Sequence, residues 1–332
     1  MRTMRRRLIL LCATAAWLLV GCGEGTKPSP SAVASGAASE VASPTGSGGG
    51  NEPGPATPLF AHVMQGSAGM TVAVDSTGVI HVAGALAEGN PNLLYGRCAG
   101  RCDQASSWEI VPLPSVADVN HVPTIALTDD DRPRILFASD LPGSAGYYYL
   151  ECDSECGRVA SWHSVRLTEE SPESNGVANP RMPFAVSGEG AAAFAYDDGF
   201  GMYVWVCNSR CAAGNSWARV TLADVYSYAE AVAFGSGQSL QVIGRQAVRN
   251  STNETMVWFD CPGHCTAGSS WAHLDRLWTT LGEQTMALSR TSKGGPRILV
   301  YGDDPNTAVG SRVFAYLSCD TKCRRRRTTS SM

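Results

Sequence analysis

Five Cys-x3-Cys pairs punctuate the chain, and their first cysteines, Cys98, Cys152, Cys207, Cys261 and Cys319, lie 54, 55, 54 and 58 residues apart. In the first four copies a Ser-Trp follows at a fixed distance, placing Trp108, Trp162, Trp217 and Trp271 six residues after the second cysteine. The fifth copy has no such tryptophan. A period this regular requires a repeat architecture, in which each unit buries its apolar faces only against its neighbours.

Each repeat also holds two further apolar runs joined by a short polar turn, as in residues 71–74 and 79–83 around Asp75-Ser-Thr-Gly78. The same arrangement recurs at 124–127 with 133–138, 184–186 with 191–196, 231–234 with 239–243, and 286–288 with 297–301. Short β-rich runs separated by Gly, Asp and Ser are hairpins, and no segment of the repeats carries a helical period. Four strands per repeat follow: two before the cysteine run, one ending at the first cysteine, and one carrying Ser-Trp-x-x-Val. Four-stranded units of about 40–55 residues in tandem predict an all-β fold, a β-propeller of five blades with four antiparallel strands each, over residues 59–323. The last repeat lacks its fourth strand, and Leu59-Phe-Ala-His-Val63 stands where a fourth strand would precede the first repeat, so the two chain ends are expected to share one blade.

The N-terminus is of another kind. Residues 1–7 carry four arginines and no acid, and residues 8–20 form an apolar run of thirteen. That is short for a transmembrane helix, which needs about twenty residues, and it fits a signal peptide over residues 1–21. The run ends in Leu19-Val20-Gly21-Cys22, which resembles the lipobox of bacterial lipoproteins. The resemblance implies cleavage before Cys22, lipidation (palmitate among the acyl chains) at that cysteine, and, with Gly23 following, sorting to the bacterial outer membrane. Residues 22–58 then form a Gly-, Ser- and Pro-rich tether, too poor in apolar groups to offset its ordering entropy. Residues 324–332 open with four arginines and form a basic tail.

Twelve cysteines are accounted for by this division: Cys12 leaves with the signal, Cys22 takes lipid, and ten remain as five pairs. An even number in an exported chain favours disulfides, and the simplest connectivity joins Cys98 to Cys102, Cys152 to Cys156, Cys207 to Cys211, Cys261 to Cys265 and Cys319 to Cys323. Positions i and i+4 of a helix hold their Cβ atoms about 5–6 Å apart, whereas a disulfide needs roughly 3.8 Å, so a loop is the expected setting. The rival uses fit less well. No histidine directly follows any second cysteine, as covalent haem would need. Zinc would need two further ligands per pair, and only His264 stands close. A redox dithiol has no need of five regularly spaced copies.

The blades resemble the Asp-box (BNR-like) propeller repeats of sialidase-like proteins. They are more similar to propeller repeats of exported bacterial proteins that read Asp-x-x-Gly-x-Pro-x-Ile-x-Tyr, then Cys-x3-Cys, then Trp. Arg132-Pro-Arg-Ile-Leu-Phe137 and Gly295-Pro-Arg-Ile-Leu-Val300 carry the first part, while of the Asp-box only Asp103, Ser-Trp, Gly214 and Gly268 are recognisable. Neither the arginine triad nor the Tyr/Glu pair of sialidases can be placed on this chain. The resemblance implies a binding face formed by the loops between second and third strands and between consecutive blades.

Candidate chemistry gathers on that face. The second strands end in Asp140, in Asp197 and Asp198, in Arg245, and in Asp303 and Asp304, while His121, Arg181 and Tyr228 come just before innermost strands. Paired carboxylates can serve as acid and base in glycoside cleavage, or hold calcium, the one cofactor such a ring suggests. Acids are also abundant in turns, where they are simply solvated. No metalloprotease, phosphate-loop or nucleophile-elbow motif is present, so no catalytic residue or metal ligand is assigned. Removing the four signal arginines takes the net charge from −4 to −8, which points away from nucleic acid. The recurring tryptophans read as inter-blade core, since a ligand site has no need to recur in every blade. The expectation is a lipid-anchored envelope propeller acting as a non-catalytic binding or scaffold module for a protein or glycan ligand. The alternative is a carbohydrate-binding or glycoside-hydrolysing propeller that uses the carboxylates at one mouth.

Overall fold

The computed structural model describes residues 67–86, 93–113, 119, 121–169, 182–198, 201–224, 227–247, 254–280, 284–290, 295–303 and 312–318. The signal segment, Cys22, the tether, residues 59–63, Arg181, Asp304, the Cys319 and Cys323 pair and the basic tail lie outside them.

The described strands form antiparallel meanders in sequence order. The first sheet contains β1 (Ser67–Val74), β2 (Ile80–Leu86), β3 (Leu93–Cys98) and β4 (Trp108–Pro112). The second contains β5 (Thr124–Leu127), β6 (Pro133–Ser139), β7 (Gly146–Cys152) and β8 (Trp162–Arg166). The third contains β9 (Phe184–Val186), β10 (Ala192–Asp197), β11 (Met202–Cys207) and β12 (Trp217–Ala223). The fourth contains β13 (Ser227–Phe234), β14 (Leu240–Ala247), β15 (Glu254–Cys261) and β16 (Ala272–Thr280). The last, with three described strands, contains β17 (Gln284–Arg290), β18 (Pro296–Asp303) and β19 (Arg312–Ser318).

Consecutive sheets meet through their first strands, β1 on β5, β5 on β9, β9 on β13 and β13 on β17, so these line an axis and the sheets stand as blades of a β-propeller. Burial explains the sequence pattern. The second strands of the first four blades are covered on both faces, and β6 is buried at all seven positions, which is why Pro-Arg-Ile-Leu-Phe-Ala-Ser reads as a continuous run rather than an alternation. The core consequently lies between blades. One cluster joins Tyr95 and Leu93 of the first blade to Phe137, Leu150 and Trp162 of the second. Others join Tyr149 to Phe194 and Trp217, Val204 to Val242 and Phe259, and Ile243 and Met256 to Ile298 and Val300.

The cysteine pairs occupy the loops between third and fourth strands. Disulfides join Cys98 to Cys102, Cys152 to Cys156, Cys207 to Cys211 and Cys261 to Cys265, with Cα atoms 5.7–5.8 Å apart. The residue before the second cysteine, Arg101, Glu155, Arg210 or His264, has a positive φ of 47–57° in every case. That left-handed residue turns the chain and permits closure without a helix. A single 3-10 turn follows, and then the tryptophan, whose indole Nε1 donates back to the carbonyl of the second cysteine at 2.7–3.0 Å in all four blades. The loop, the disulfide and the tryptophan are one structural unit. The expectation of tryptophans in the inter-blade core is met by Trp162, 4.9 Å from the ring of Tyr95, and Trp217, 5.2 Å from that of Tyr149, each one blade earlier, while Trp271 is partly buried against the cluster between the third and fourth blades.

Candidate functional site

In such a meander the starts of first and third strands and the ends of second and fourth strands share one end of the ring. This end is called the mouth here. The disulfide loops lie at the other.

At the boundary of the third and fourth blades, four charged side chains meet at the mouth. Asp197 closes β10, and its Oδ2 accepts the backbone N–H of Ala229 on β13 at 3.3 Å. Burial, with a smaller contribution from Asp198 and Glu230, pushes the Asp197 carboxyl up to about 6, while the Ala229 amide and the Arg245 guanidinium pull the other way. Glu230 and Arg245 form an ion pair at 2.5 Å with both side chains largely buried. Arg245, on β14, also lies 4.9 Å from the ring of Tyr228, its partner in the β13–β14 register. The register of β13 against β14 shifts between Ala229 and Ala231, and Glu230 sits at that bulge. A bulge inserts one residue into one strand and re-aims its side chain. Gly244 allows the blades to close here: a Cβ at that position would come within 2.5 Å of the Met202 sulfur and 2.6 Å of the Tyr228 carbonyl.

Asp198 has a different task. Its Oδ1 accepts the N–H of Gly201 at 2.9 Å, tying the β10–β11 turn, and Arg219 stands 4.0 Å away with its guanidinium 3.9 Å from the Tyr203 ring centre. His121 stands 3.7 Å from Asp140, with both side chains mostly buried. Burial lowers the His121 pKa and Asp140 opposes that shift, while its Nε2 makes no hydrogen bond. Asp303 ends β18, opposite Arg312 in the register.

Of the residues singled out by sequence, Asp197, Asp198 and Tyr228 are thus brought together, and His121 pairs with Asp140. The bland reading of the strand-end acids as solvated fails for Asp197 and Asp140, which are largely buried. Glu230 was not anticipated, although a glutamate within the otherwise apolar run 228–234 was its signal. Among the described residues, no group of three or more ligating side chains gathers where a metal ion would sit.

No protein-family model and no curated protein matches the chain. Solved structures with similar strand arrangements include a PL25 ulvan lyase, at 10% identity and a TM-score of 0.45, covering 76% of this chain and 66% of that one. Polysaccharide lyase Uly1 matches at 10% identity and 0.47, covering 76% and 70%. The endo-arabinase of Bacteroides thetaiotaomicron matches at 11% and 0.41, covering 76% and 94%. The chain therefore spans slightly less than two thirds of the ulvan lyase's length. These neighbours are named as carbohydrate-active enzymes, against the expectation of a non-catalytic binding or scaffold module. That expectation is therefore withdrawn. Likeness at this level transfers no residue and no substrate.

Proposed function

We propose that this protein is a carbohydrate-directed β-propeller of five blades that takes a glycan at its mouth, with Asp197 as the group that gives or takes a proton. The observation that carries the reading is the Asp197 carboxyl, raised to about 6 at a blade boundary where Asp198 and Glu230 add negative charge. A carboxyl with a pKa near the working pH can hold a proton in one step and release it in the next, which is what general acid–base chemistry requires. Glu230 and Arg245 fix the charge around it, and Tyr228 supplies an aromatic face at the same point. Export and anchoring through a lipidated Cys22 in the outer membrane belong to the same proposal, the tether holding the propeller at the envelope.

The test is a screen of the oxidised protein from residue 59 onward against a glycan array and a panel of soluble polysaccharides, with mass spectrometry of the products. Asp197→Asn runs in parallel. Product release by the native protein that Asp197→Asn abolishes supports the reading. Turnover untouched by that substitution removes Asp197 from the chemistry, and failure to bind or cleave any glycan overturns the reading. Incorporation of labelled palmitate by the full-length chain but not by Cys22→Ser tests the anchor.

A further inference from the structure

The second position of each second strand carries a different side chain: His81 on β2, Arg134 on β6, Ala193 on β10, Gln241 on β14 and Arg297 on β18. Of these, only histidine ordinarily changes its charge between about pH 5 and 8. His81 is 4% exposed, on the same face of β2 as Ala83 and Ala85, which belong to the core between the first and second blades. Both ring nitrogens are engaged: Nε2 lies 3.3 Å from the Asp75 carboxylate and Nδ1 lies 2.7 Å from the Tyr95 hydroxyl. A carboxylate only accepts, so the ring proton sits on Nε2, and Nδ1 accepts from the phenol. Each arm leads to the second blade. Asp75 shapes the β1–β2 turn by accepting the N–H groups of Thr77 and Val79, and the residue between, Ser76, donates its N–H and Oγ to Asp131 of the second blade at 2.9 and 2.6 Å. Tyr95, fully buried, packs its ring 4.9 Å from that of Trp162.

We propose that His81 is an acid-sensitive latch: the neutral imidazole holds the first blade on the second, and its protonation loosens that boundary. A proton added at Nδ1 turns the acceptor of the Tyr95 hydroxyl into a second donor. Burial raises the pKa of the phenol, which therefore keeps its own proton, and among the described residues that proton has no other acceptor. A buried donor left without a partner is expensive. Burial also lowers the pKa of His81 itself; Asp75 and Asp131 oppose the shift, and Arg97, its register partner on β3, adds to it. These are the charged groups that face the ring from its own blade and from the second. A base whose pKa is lower in the folded chain loses stability as pH falls below its unfolded value of 6.5, the opposite sign to a buried carboxyl such as Asp197. The inference holds whether or not the mouth takes a glycan.

Hydrogen exchange on the intact oxidised protein at pH 6.5 and 5.5, corrected for intrinsic amide rates, reads the opening of this boundary. The opening constant of β2 and β3 is expected to rise severalfold over that unit, with a ceiling of about tenfold for one proton, while that of β14 and β15 does not rise. His81→Gln keeps a donor and an acceptor without a titrating group, and is expected to abolish the rise at β2 and β3. Equal opening at the two pH values in the native protein, a rise shared by β14 and β15, or a rise that persists in His81→Gln overturns the latch. Nitrogen NMR of the native imidazoles supplies a check that needs no substitution. His81 is expected to be neutral at pH 6, with its proton on Nε2. A charged ring at that pH, or a proton on Nδ1 in the neutral ring, overturns the proposal.

Discussion

The Asp197 carboxylate accepts the amide N–H of Ala229 from the neighbouring blade, at 3.3 Å, so a group with an unfavourable charge is held at a joint between two structural units. A single backbone amide does not compensate for burial beside two other acids, and the pKa of Asp197 settles near 6 instead of the usual 3.8.

This displacement has a cost that can be measured. In the unfolded chain Asp197 loses its proton near pH 4, whereas in the folded chain it retains the proton until about pH 6. Between those values the folded state binds more protons than the unfolded one, so stability falls as pH rises through the window and stays lower above it. The displacement corresponds to roughly 2–3 kcal/mol at about 1.4 kcal/mol per tenfold change in acidity. Asp197→Asn keeps an acceptor for the Ala229 amide and removes the charge. The substituted protein is expected to match the native one at pH 4 and to exceed it by about 2 kcal/mol at pH 7.5. Denaturant unfolding at both pH values checks this, and a pH-independent difference would refute the assigned burial.

Glu230 and Arg245 act on the same carboxyl with opposite signs. Glu230→Gln removes a nearby negative charge and should bring Asp197 below 6. Arg245→Met removes the positive charge, leaves Glu230 buried without its guanidinium, and should push Asp197 above 6 while costing about 3 kcal/mol of stability. Carboxyl carbon NMR titration, with the Asp197 signal identified from Asp197→Asn, reads the order Arg245→Met above native above Glu230→Gln. Any other order means that Asp197 is not coupled to this ion pair.

Trp162 links two levels of the fold, because its ring packs on Tyr95 of the preceding blade while its Nε1 donates to the Cys156 carbonyl of its own loop at 3.0 Å. Trp162→Ala opens a cavity at the boundary and is expected to cost about 3–5 kcal/mol. Trp162→Phe keeps an aromatic against Tyr95 but loses the indole donor, for about 1–2 kcal/mol. Equal losses in chemical unfolding would show that the hydrogen bond, not the packing, is the larger part.

Much of this fold was legible in the sequence because its strongest constraint is repeated. A cysteine loop with a tryptophan six residues on recurs in four blades, so period, strand number and local disulfide pairing could be read together. What could not be read is which polar residues the ring buries. Asp197 and Asp198 are adjacent, and nothing in their local pattern says that one is enclosed by the fourth blade while the other ties its own turn to Gly201. Glu230 was hidden by a bulge, which breaks the two-residue alternation used to assign faces. The burial of Asp197 depends on a contact between blades, 32 residues apart in sequence, and the bulge on a register shift within the fourth blade, and a repeat pattern specifies the blade more fully than its deviations.

The disulfides are the feature most open to a direct stability measurement, and their expected contribution follows from loop size. Each closes a ring of five residues, for which the chain-entropy relation gives roughly 2 kcal/mol. The same loops are also held by the left-handed residue before the second cysteine and by the tryptophan donor, so part of the turn should persist after reduction. Cys152→Ser with Cys156→Ser is therefore expected to cost about 1–2 kcal/mol, somewhat less than the relation alone gives. Replacing Glu155 by glycine, which occupies positive φ without a side-chain penalty, should return about 0.5–1 kcal/mol of that loss. Thermal unfolding of the native, reduced and substituted proteins at one scan rate provides the comparison. A melting temperature unchanged by complete reduction would contradict the stabilising role assigned to the four loops and leave the tryptophan bond as the element that sets the turn.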